Sequence, residues 1–271
     1  MYVTTDDGLR LNVTVSGPEG APVLLAVHGY PDSSSLWDGV ARELGDRVRF
    51  ARYDVRGAGG SSAPRRTRDY ALAHLVADLR SVADAVSPGQ KVHLLAHDWG
   101  AIQGWHAVTA DWAPGRIASY TAVSGAHLDA AAAWLRTGGR DAVRQARHSW
   151  YIGLFKTPLL PELAWRTGAM RLVLARKEGR EVAREFRRSD GITGLKLYRA
   201  NMRRPGRPPA PVDIPVQLVM PRGDAYVTPA LQRAMPATTL VESPVEGRHW
   251  VPRSDPALIA KLALEHLERC A

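Results

Sequence analysis

The chain has 271 residues, of which 45% are hydrophobic, so it is long enough for one large domain with a substantial core. This composition excludes a disordered chain, and no apolar run approaches the roughly 20 residues that a membrane-spanning helix needs. The formal net charge is +9 at pH 7, but no nucleic-acid-binding motif accompanies the basic residues, so we expect no nucleic-acid partner.

The N-terminal residues contain acids and lack the apolar segment of a secretory signal. The single cysteine, Cys270, cannot form a disulfide within the chain, which fits a reducing compartment. We therefore expect a cytoplasmic protein without a membrane partner.

Strand-like and helix-like segments alternate through the first 125 residues. The segments predicted as strands are 9–17, 22–29, 48–54, 91–97 and 116–125. The segments predicted as helices are 36–44, 72–86 and 101–109. Strands separated by helices of this length form right-handed βαβ units, so the pattern predicts an α/β fold with a parallel sheet.

The alternation stops at residues 128–210, which have the pattern of helices without strands. This segment holds 18 Lys and Arg against 7 Asp and Glu, and it closes in a Pro-rich linker, 205–211. The strands 214–221 and 238–243 and the helices 229–235 and 255–268 follow it. We therefore predict a core of residues 1–127 and 211–271, with 128–210 inserted as a helical cap. The basic charge indicates either solvated helices or an electropositive lid that steers an acidic substrate or carrier.

A carboxylate lies at the turn between strand 91–97 and the next helix. Residues 96–100 read Ala-His-Asp-Trp-Gly, in which small residues flank the central Asp98 as they flank the centre of a nucleophile elbow. Such a turn projects its central side chain from the carboxyl end of the sheet, at a helix N-terminus that favours an anion. Asp98 is therefore a candidate nucleophile, and an N-cap residue is the alternative.

Two backbone N–H groups near this turn are candidates for an oxyanion hole. Trp99 follows the candidate nucleophile, and Tyr30 follows His-Gly at the end of strand 22–29. Both amides are expected to point at the carboxyl end of the sheet, where they would stabilise a tetrahedral intermediate.

An acid and a histidine complete the predicted set. Asp224 follows strand 214–221, and His249 follows strand 238–243. The chain order is then nucleophile, acid and histidine, which is the order of α/β-hydrolase triads. Asp129 is an alternative acid, but the Gly-Asp context of position 224 favours Asp224.

With these motifs the sequence resembles the α/β-hydrolase superfamily and, within it, the epoxide hydrolase family, over nearly the whole chain. The resemblance implies a mostly parallel central sheet flanked by helices, with the cap inserted late in the sheet. Two cap tyrosines carry the likeness to epoxide hydrolases: Tyr151, in a Tyr-x-x-x-Phe-x-x-Pro context, and Tyr198, which is followed by Arg and then Met202.

These residues predict a chemistry that opens an epoxide to a vicinal diol. Asp98 attacks a ring carbon to form an alkyl ester, while Tyr151 and Tyr198 donate to the ring oxygen. His249, oriented by Asp224, then activates the water that hydrolyses the ester. The partners are a small-molecule epoxide and water, and we expect neither a cofactor nor a metal.

The aromatic residues Trp99, Tyr30 and Trp150 are candidates for the substrate pocket, with aromatic core packing as the alternative. A haloalkane dehalogenase with the same Asp98 nucleophile is one alternative function, and a non-catalytic ligand-binding protein is another. The sequence determines neither the substrate, nor the regiochemistry or stereochemistry of ring opening, nor the oligomeric state, for which a homodimer is one alternative.

Overall fold

A computed structural model describes residues 1–202 and 206–270. Eight strands in these residues form one sheet in the order β1-β2-β4-β3-β5-β6-β7-β8. They are β1 Tyr2–Thr4, β2 Arg10–Ser16, β3 Val23–Val27, β4 Arg49–Tyr53, β5 Val92–His97, β6 Ile117–Val123, β7 Val216–Pro221 and β8 Leu240–Val245. β1 and β2 pair antiparallel, as do β2 and β4, whereas every other pair is parallel.

Helices flank this sheet and fill the interval between β6 and β7. Those that precede β6 are α1 Asp38–Leu44, α2 Leu72–Val86, α3 Trp99–Val108 and α4 Ala113–Arg116. Those between β6 and β7 are α5 Leu128–Arg136, α6 Gly139–His148, α7 Trp150–Lys156, α8 Leu160–Arg166, α9 Ala169–Glu178, α10 Arg180–Arg184 and α11 Arg188–Asn201. The last are α12 Pro229–Arg233, α13 Val251–Ser254 and α14 Pro256–Arg269.

The predicted fold class, a mostly parallel sheet flanked by helices, is confirmed. The sequence-based boundaries of β2 to β8 differ from the observed ones by at most two residues, and β8 is shifted by two residues at both ends. β1 was not predicted, because three residues are too few for a periodic pattern. The predicted cap boundary at 210 stays a prediction, and the linker 205–211 begins outside the described residues.

Alternation along the buried strands divides the apolar core into two layers. In β3, Leu25 and Val27 face one cluster, which includes side chains of α2 and α3. Leu24 and Ala26 face the other, which includes side chains of α1 and α14. Both faces are therefore apolar, as expected for parallel strands covered by helices on both sides.

The second cluster continues into the inserted helices through Tyr30. The Tyr30 hydroxyl donates to the Gly191 carbonyl oxygen of α11 at 2.8 Å and accepts from the Trp165 indole of α8 at 2.7 Å. Its ring packs edge-on against Phe155 and Tyr198. One residue of the core thus ties three inserted helices to the carboxyl edge of the sheet. No helix in residues 1–202 or 206–270 is long and apolar enough to cross a membrane.

The first turn of α3 packs directly on β3, because Gly100 has no side chain. A Cβ atom at Gly100 would overlap the Val27 carbonyl oxygen, and one at Gly29 would overlap the Asp98 carboxylate. The glycine in the Ala-His-Asp-Trp-Gly sequence is therefore needed for the close approach of helix and strand.

We expect Gly100→Ala to lower the free energy of unfolding by about 1–3 kcal/mol, because the new methyl group must displace backbone atoms rather than a flexible side chain. Urea denaturation followed by far-UV circular dichroism measures the change. Gly153→Ala is the matched control, since Gly153 lies in α7 with open space where a Cβ would stand. Equal stability of the two variants would contradict the close packing of this turn.

Candidate active site

Asp98 occupies a strained turn between β5 and α3. Its φ is 52° and its ψ is −120°, a backbone conformation that is uncommon for a residue other than glycine. Its side chain caps no helix N–H group, so the N-cap alternative does not describe it. Instead the carboxylate projects beyond the sheet, where Oδ1 accepts from the Tyr30 backbone N–H at 2.7 Å.

Loops after two other strands bring an acid and a histidine to the same carboxylate. Asp224 follows β7 and His249 follows β8. Nδ1 of His249 lies 3.0 Å from Oδ2 of Asp224, and Nε2 lies 3.4 Å from Oδ2 of Asp98. The structure therefore places the three residues in line, with the imidazole between two carboxylates.

Asp224 and the loop that carries His249 are themselves held by other groups. Oδ1 of Asp224 accepts from the backbone N–H groups of Tyr226 and Val227 at 2.7 and 3.0 Å. Nε2 of His97, which donates here, lies 2.9 Å from the His249 carbonyl oxygen. Asp129, the alternative acid, accepts from the Gly206 N–H instead. These contacts orient the acid and fix the loop that carries His249.

The charges around His249 favour its protonated form. Burial lowers the pKa of His249, but the Asp224 and Asp98 carboxylates outweigh burial and raise this pKa to about 10. Burial raises the pKa of Asp224, and the nearby His249 outweighs burial and lowers it. The resting site therefore holds an imidazolium between two carboxylates at neutral pH.

Tyr151 from α7 and Tyr198 from α11 lie beside Asp98. Their ring centroids are 6.1 Å apart, and Tyr198 also packs edge-on against Trp99 at 5.0 Å. Burial raises the pKa of both phenols well above 10, and the negative charge of Asp98 raises both further. Both therefore remain neutral hydrogen-bond donors at any physiological pH.

Tyr226 is a third tyrosine at this site, and the sequence analysis missed it. Its ring lies 4.8 Å from that of His249 and 5.4 Å from that of Tyr151. Its buried hydroxyl has no hydrogen-bond partner within the described residues. The only signal in the sequence is its position two residues after Asp224, which assigns it no role.

Two cavities meet at the carboxylate, and Asp98, Tyr151, Tyr198 and Tyr226 line both. The larger has a volume of about 420 Å³, and its apolar wall includes Leu72, Ile102, Leu135 and Met202. The smaller has a volume of about 120 Å³, and its apolar wall includes Phe155, Trp165, Leu174 and Trp250.

The three predicted pocket aromatics are divided between the two cavities. Trp99 lines the larger one, whereas Tyr30 and Trp150 line the smaller one. The Tyr30 hydroxyl is already bonded to Gly191 and Trp165, so only its ring is free for a ligand. Trp150 is 61% exposed and lies where the smaller cavity reaches solvent.

A histidine cluster that the sequence spacing did not predict lies at the wall of the larger cavity. Potential ligand atoms of His106, His127 and Asp129 lie within 4.8 Å of one another. The two imidazoles stack with centroids 3.7 Å apart and planes at 23°, so their in-plane lone pairs cannot meet at one ion about 2.0 Å from each. In addition, Nδ1 of His127 accepts from backbone N–H groups of α5. We therefore assign no metal to this cluster.

Residues 22–147 match the model of the alpha/beta hydrolase fold family. The chain is 34% identical over 281 aligned residues to "Probable oxidoreductase EphD" of Mycobacterium tuberculosis, an alignment that covers 95% of this chain and 48% of that protein. The chain thus spans about half the length of this curated relative.

Solved structures match the whole chain. One, described as "Novel epoxide hydrolases belonging to the alpha/beta hydrolases superfamily in metagenomes from hot environments", has a TM-score of 0.80 at 25% identity and covers 98% of this chain and 97% of its own. An epoxide hydrolase from Bacillus megaterium in complex with an inhibitor has a TM-score of 0.83 at 21% identity. The match covers 99% of this chain and 100% of that one. The second likeness, at this identity, shows the fold alone.

We expect three buried histidines, His249, His97 and His106, to fall into two groups when the chain is titrated. His249 should stay protonated through pH 8, because its pKa is about 10, whereas His97 and His106, with pKa values of about 3, should stay neutral at pH 5. NMR chemical shifts of the ring nitrogens measure both. A neutral His249 at pH 7 would contradict the electrostatic description of the site.

The same pKa predicts how one ion pair contributes to stability. A histidine whose folded pKa is raised stabilises the fold fully below its unfolded pKa of about 6.5, and this contribution is lost as the pH rises through about 10. The difference in unfolding free energy between wild type and Asp224→Asn should therefore narrow between pH 6.5 and 10. A constant difference over this range would contradict the assignment.

Proposed function

We propose that this chain, which has the α/β-hydrolase fold, is an epoxide hydrolase that forms an alkyl ester on Asp98. One observation carries the proposal. The Asp98 carboxylate lies at the junction of two apolar cavities, with neutral Tyr151 and Tyr198 at its side and His249 behind it. A nucleophile, two proton donors and a base thus surround one space.

Asp98 attacks through Oδ2, because the Tyr30 N–H holds Oδ1. A bond forms between Oδ2 and a ring carbon as the bond between that carbon and the ring oxygen breaks. Tyr151 or Tyr198 gives its proton to the released oxygen, and the other phenol donates a hydrogen bond to it. A carboxylate suits this step, since the ester that it forms retains a carbonyl carbon that water can attack.

Ester formation then changes the state of His249. Asp98 loses its charge, which is one of the two charges that raise the pKa of His249, so this pKa falls. At about 4 Å such a charge pair is worth about 4 kcal/mol in a protein environment of intermediate dielectric. The His249 proton passes through solvent to the tyrosinate, and the neutral imidazole becomes available as a base.

Hydrolysis completes the cycle. His249 takes a proton from water as the water oxygen attacks Cγ of Asp98, and the oxyanion forms on Oδ1. The Tyr30 N–H already contacts Oδ1, and we expect the Trp99 N–H to join it. The intermediate then expels the diol oxygen, which takes the His249 proton, and the new carboxyl group returns its proton to His249.

The names of the solved relatives support the epoxide over an alkyl halide as substrate, and so do the two phenols beside Asp98, since a departing halide needs no proton. The first curated relative carries an oxidoreductase name, but it is about twice as long as this chain.

We expect His249→Gln to accumulate the alkyl-enzyme, because alkylation needs Asp98 and the tyrosines, whereas hydrolysis needs the base. Intact-mass spectrometry after mixing with a styrene oxide should show an adduct of the epoxide mass, and peptide mapping should place it on Asp98. Asp98→Asn is the control and should show none. A wild type that turns over no epoxide and a His249→Gln variant that forms no adduct would together refute the proposal.

We expect Tyr151→Phe and Tyr198→Phe each to slow alkylation about 10- to 100-fold, and the double variant to abolish it nearly, because each phenol stabilises the departing oxygen. Stopped-flow tryptophan fluorescence in a single turnover measures the alkylation rate. An alkyl bromide is the control substrate. Its halide leaves without a proton, so loss of the phenols should not slow its reaction. Undiminished epoxide opening in the double variant, or release of halide by a wild type inert to epoxides, would favour the dehalogenase.

A further inference from the structure

The outer surface of the inserted helices carries most of the exposed large apolar side chains. Nine such side chains occur in the described residues, and six of them lie between residues 150 and 173. These six, which we call the cap patch, are Trp150, Leu159, Leu160, Leu163, Leu172 and Val173. They lie on α7, α8, α9 and the α7–α8 turn, where α8 packs against both neighbours. So concentrated an apolar surface marks an interaction site.

The same surface is strongly basic. Residues 150–177 hold five cationic side chains, namely Lys156, Arg166, Arg171, Arg176 and Lys177. The one acidic residue in this range, Glu162, forms an ion pair with Arg199, with 2.6 Å between Oε1 and Nη1. In the described part of the chain, Lys156, Arg166 and Arg176 form no ion pair, and all three are exposed. An anionic partner would therefore meet exposed cations that form no ion pair with the described residues.

Leu159 is held out from the surface by a strained backbone. It is 79% exposed, and its φ is 66°, in the left-handed region that a bulky residue rarely adopts. A polar or glycine residue would suit such an exposed turn in water. Here the strained backbone exposes a leucine side chain. Such an arrangement suggests that this surface is covered by an apolar partner.

The smaller cavity opens within the cap patch. Trp150 and Val173 are exposed members of the patch and also line this cavity, together with Lys177 at its edge. Asp98 lines the same cavity. This cavity therefore joins exposed members of the cap patch to the carboxylate.

We propose that the cap patch docks on an anionic lipid membrane. Its leucines and Trp150 enter the boundary between headgroups and acyl chains, while the surrounding cations bind headgroup phosphates. A bilayer is favoured over a protein because the patch is apolar and the exposed charges of residues 150–177 that form no ion pair with the described residues are cations, which complements an anionic bilayer surface directly. This proposal differs from the sequence-based expectation of no membrane partner, which considered only spanning segments and a secretory signal.

Docking would bring the smaller cavity against the acyl chains, so a lipid epoxide would reach Asp98 without crossing water. This consequence rests on the proposed function, whereas the docking itself does not. Asp98→Asn should therefore bind vesicles as the wild type does, and this keeps a failure of docking distinct from a failure of the catalytic proposal.

Vesicle flotation at low salt tests the docking. Wild type should bind phosphatidylcholine vesicles with roughly 30% phosphatidylglycerol about tenfold more tightly than pure phosphatidylcholine vesicles, and salt should weaken this binding. Leu159→Ser/Leu163→Ser and Lys156→Gln/Arg176→Gln should each reduce binding about tenfold. Val143→Ser and Arg144→Gln are matched controls, since both residues are exposed on α6 outside the patch, and they should bind as wild type.

Circular dichroism and the Tm of each variant show that it is folded, and Leu172→Ser replaces the double leucine variant if the latter is not. The proposal is overturned if wild type does not bind anionic vesicles, if it binds neutral ones equally, or if folded patch variants bind undiminished. A dimer in solution that the leucine changes dissociate would also overturn it, since the patch would then bind a second copy of the chain.

Discussion

The buried charge of Asp98 is the constraint on which the rest of the site depends. A carboxylate removed from water is stable only if other groups replace its hydration. Here the Tyr30 N–H and the His249 imidazolium do so, at 2.7 and 3.4 Å. The imidazolium in turn requires Asp224, and Asp224 requires the N–H groups of its own loop. The strained turn at Asp98, the loop after β7 and the loop after β8 are therefore one electrostatic unit.

This unit allows His249 to take both of the protonation states that the two-step reaction needs. While Asp98 is charged, it is the nucleophile and His249 is protonated. Once Asp98 is esterified, its negative charge no longer raises the pKa of His249, and the neutral imidazole becomes a base. In the proposed mechanism, chemistry at the carboxylate thus changes the role of the histidine, and no movement of the backbone is required.

Environment also separates residues of one type into different roles. His97 lies directly beside His249, with ring centroids 4.7 Å apart, yet burial lowers its pKa to about 3. Among the described residues it has no carboxylate partner in hydrogen-bond contact, and it donates instead to the His249 carbonyl oxygen. Likewise, Tyr30 and Tyr198 are both buried beside Asp98, but the Tyr30 hydroxyl is bonded to two groups of the inserted helices and so serves their attachment.

The sequence by itself determined the α/β fold class, the order of its elements and the positions of Asp98, Asp224 and His249 at strand ends. These features are local, because apolar periodicity and the small residues of a turn can be recognised within a few neighbouring positions. Only the tertiary structure decided that Tyr226 faces His249, that His106 and His127 stack, and that large apolar side chains of three inserted helices are exposed. Such contacts join residues far apart in the chain, and their geometry depends on packing that no single stretch of sequence encodes.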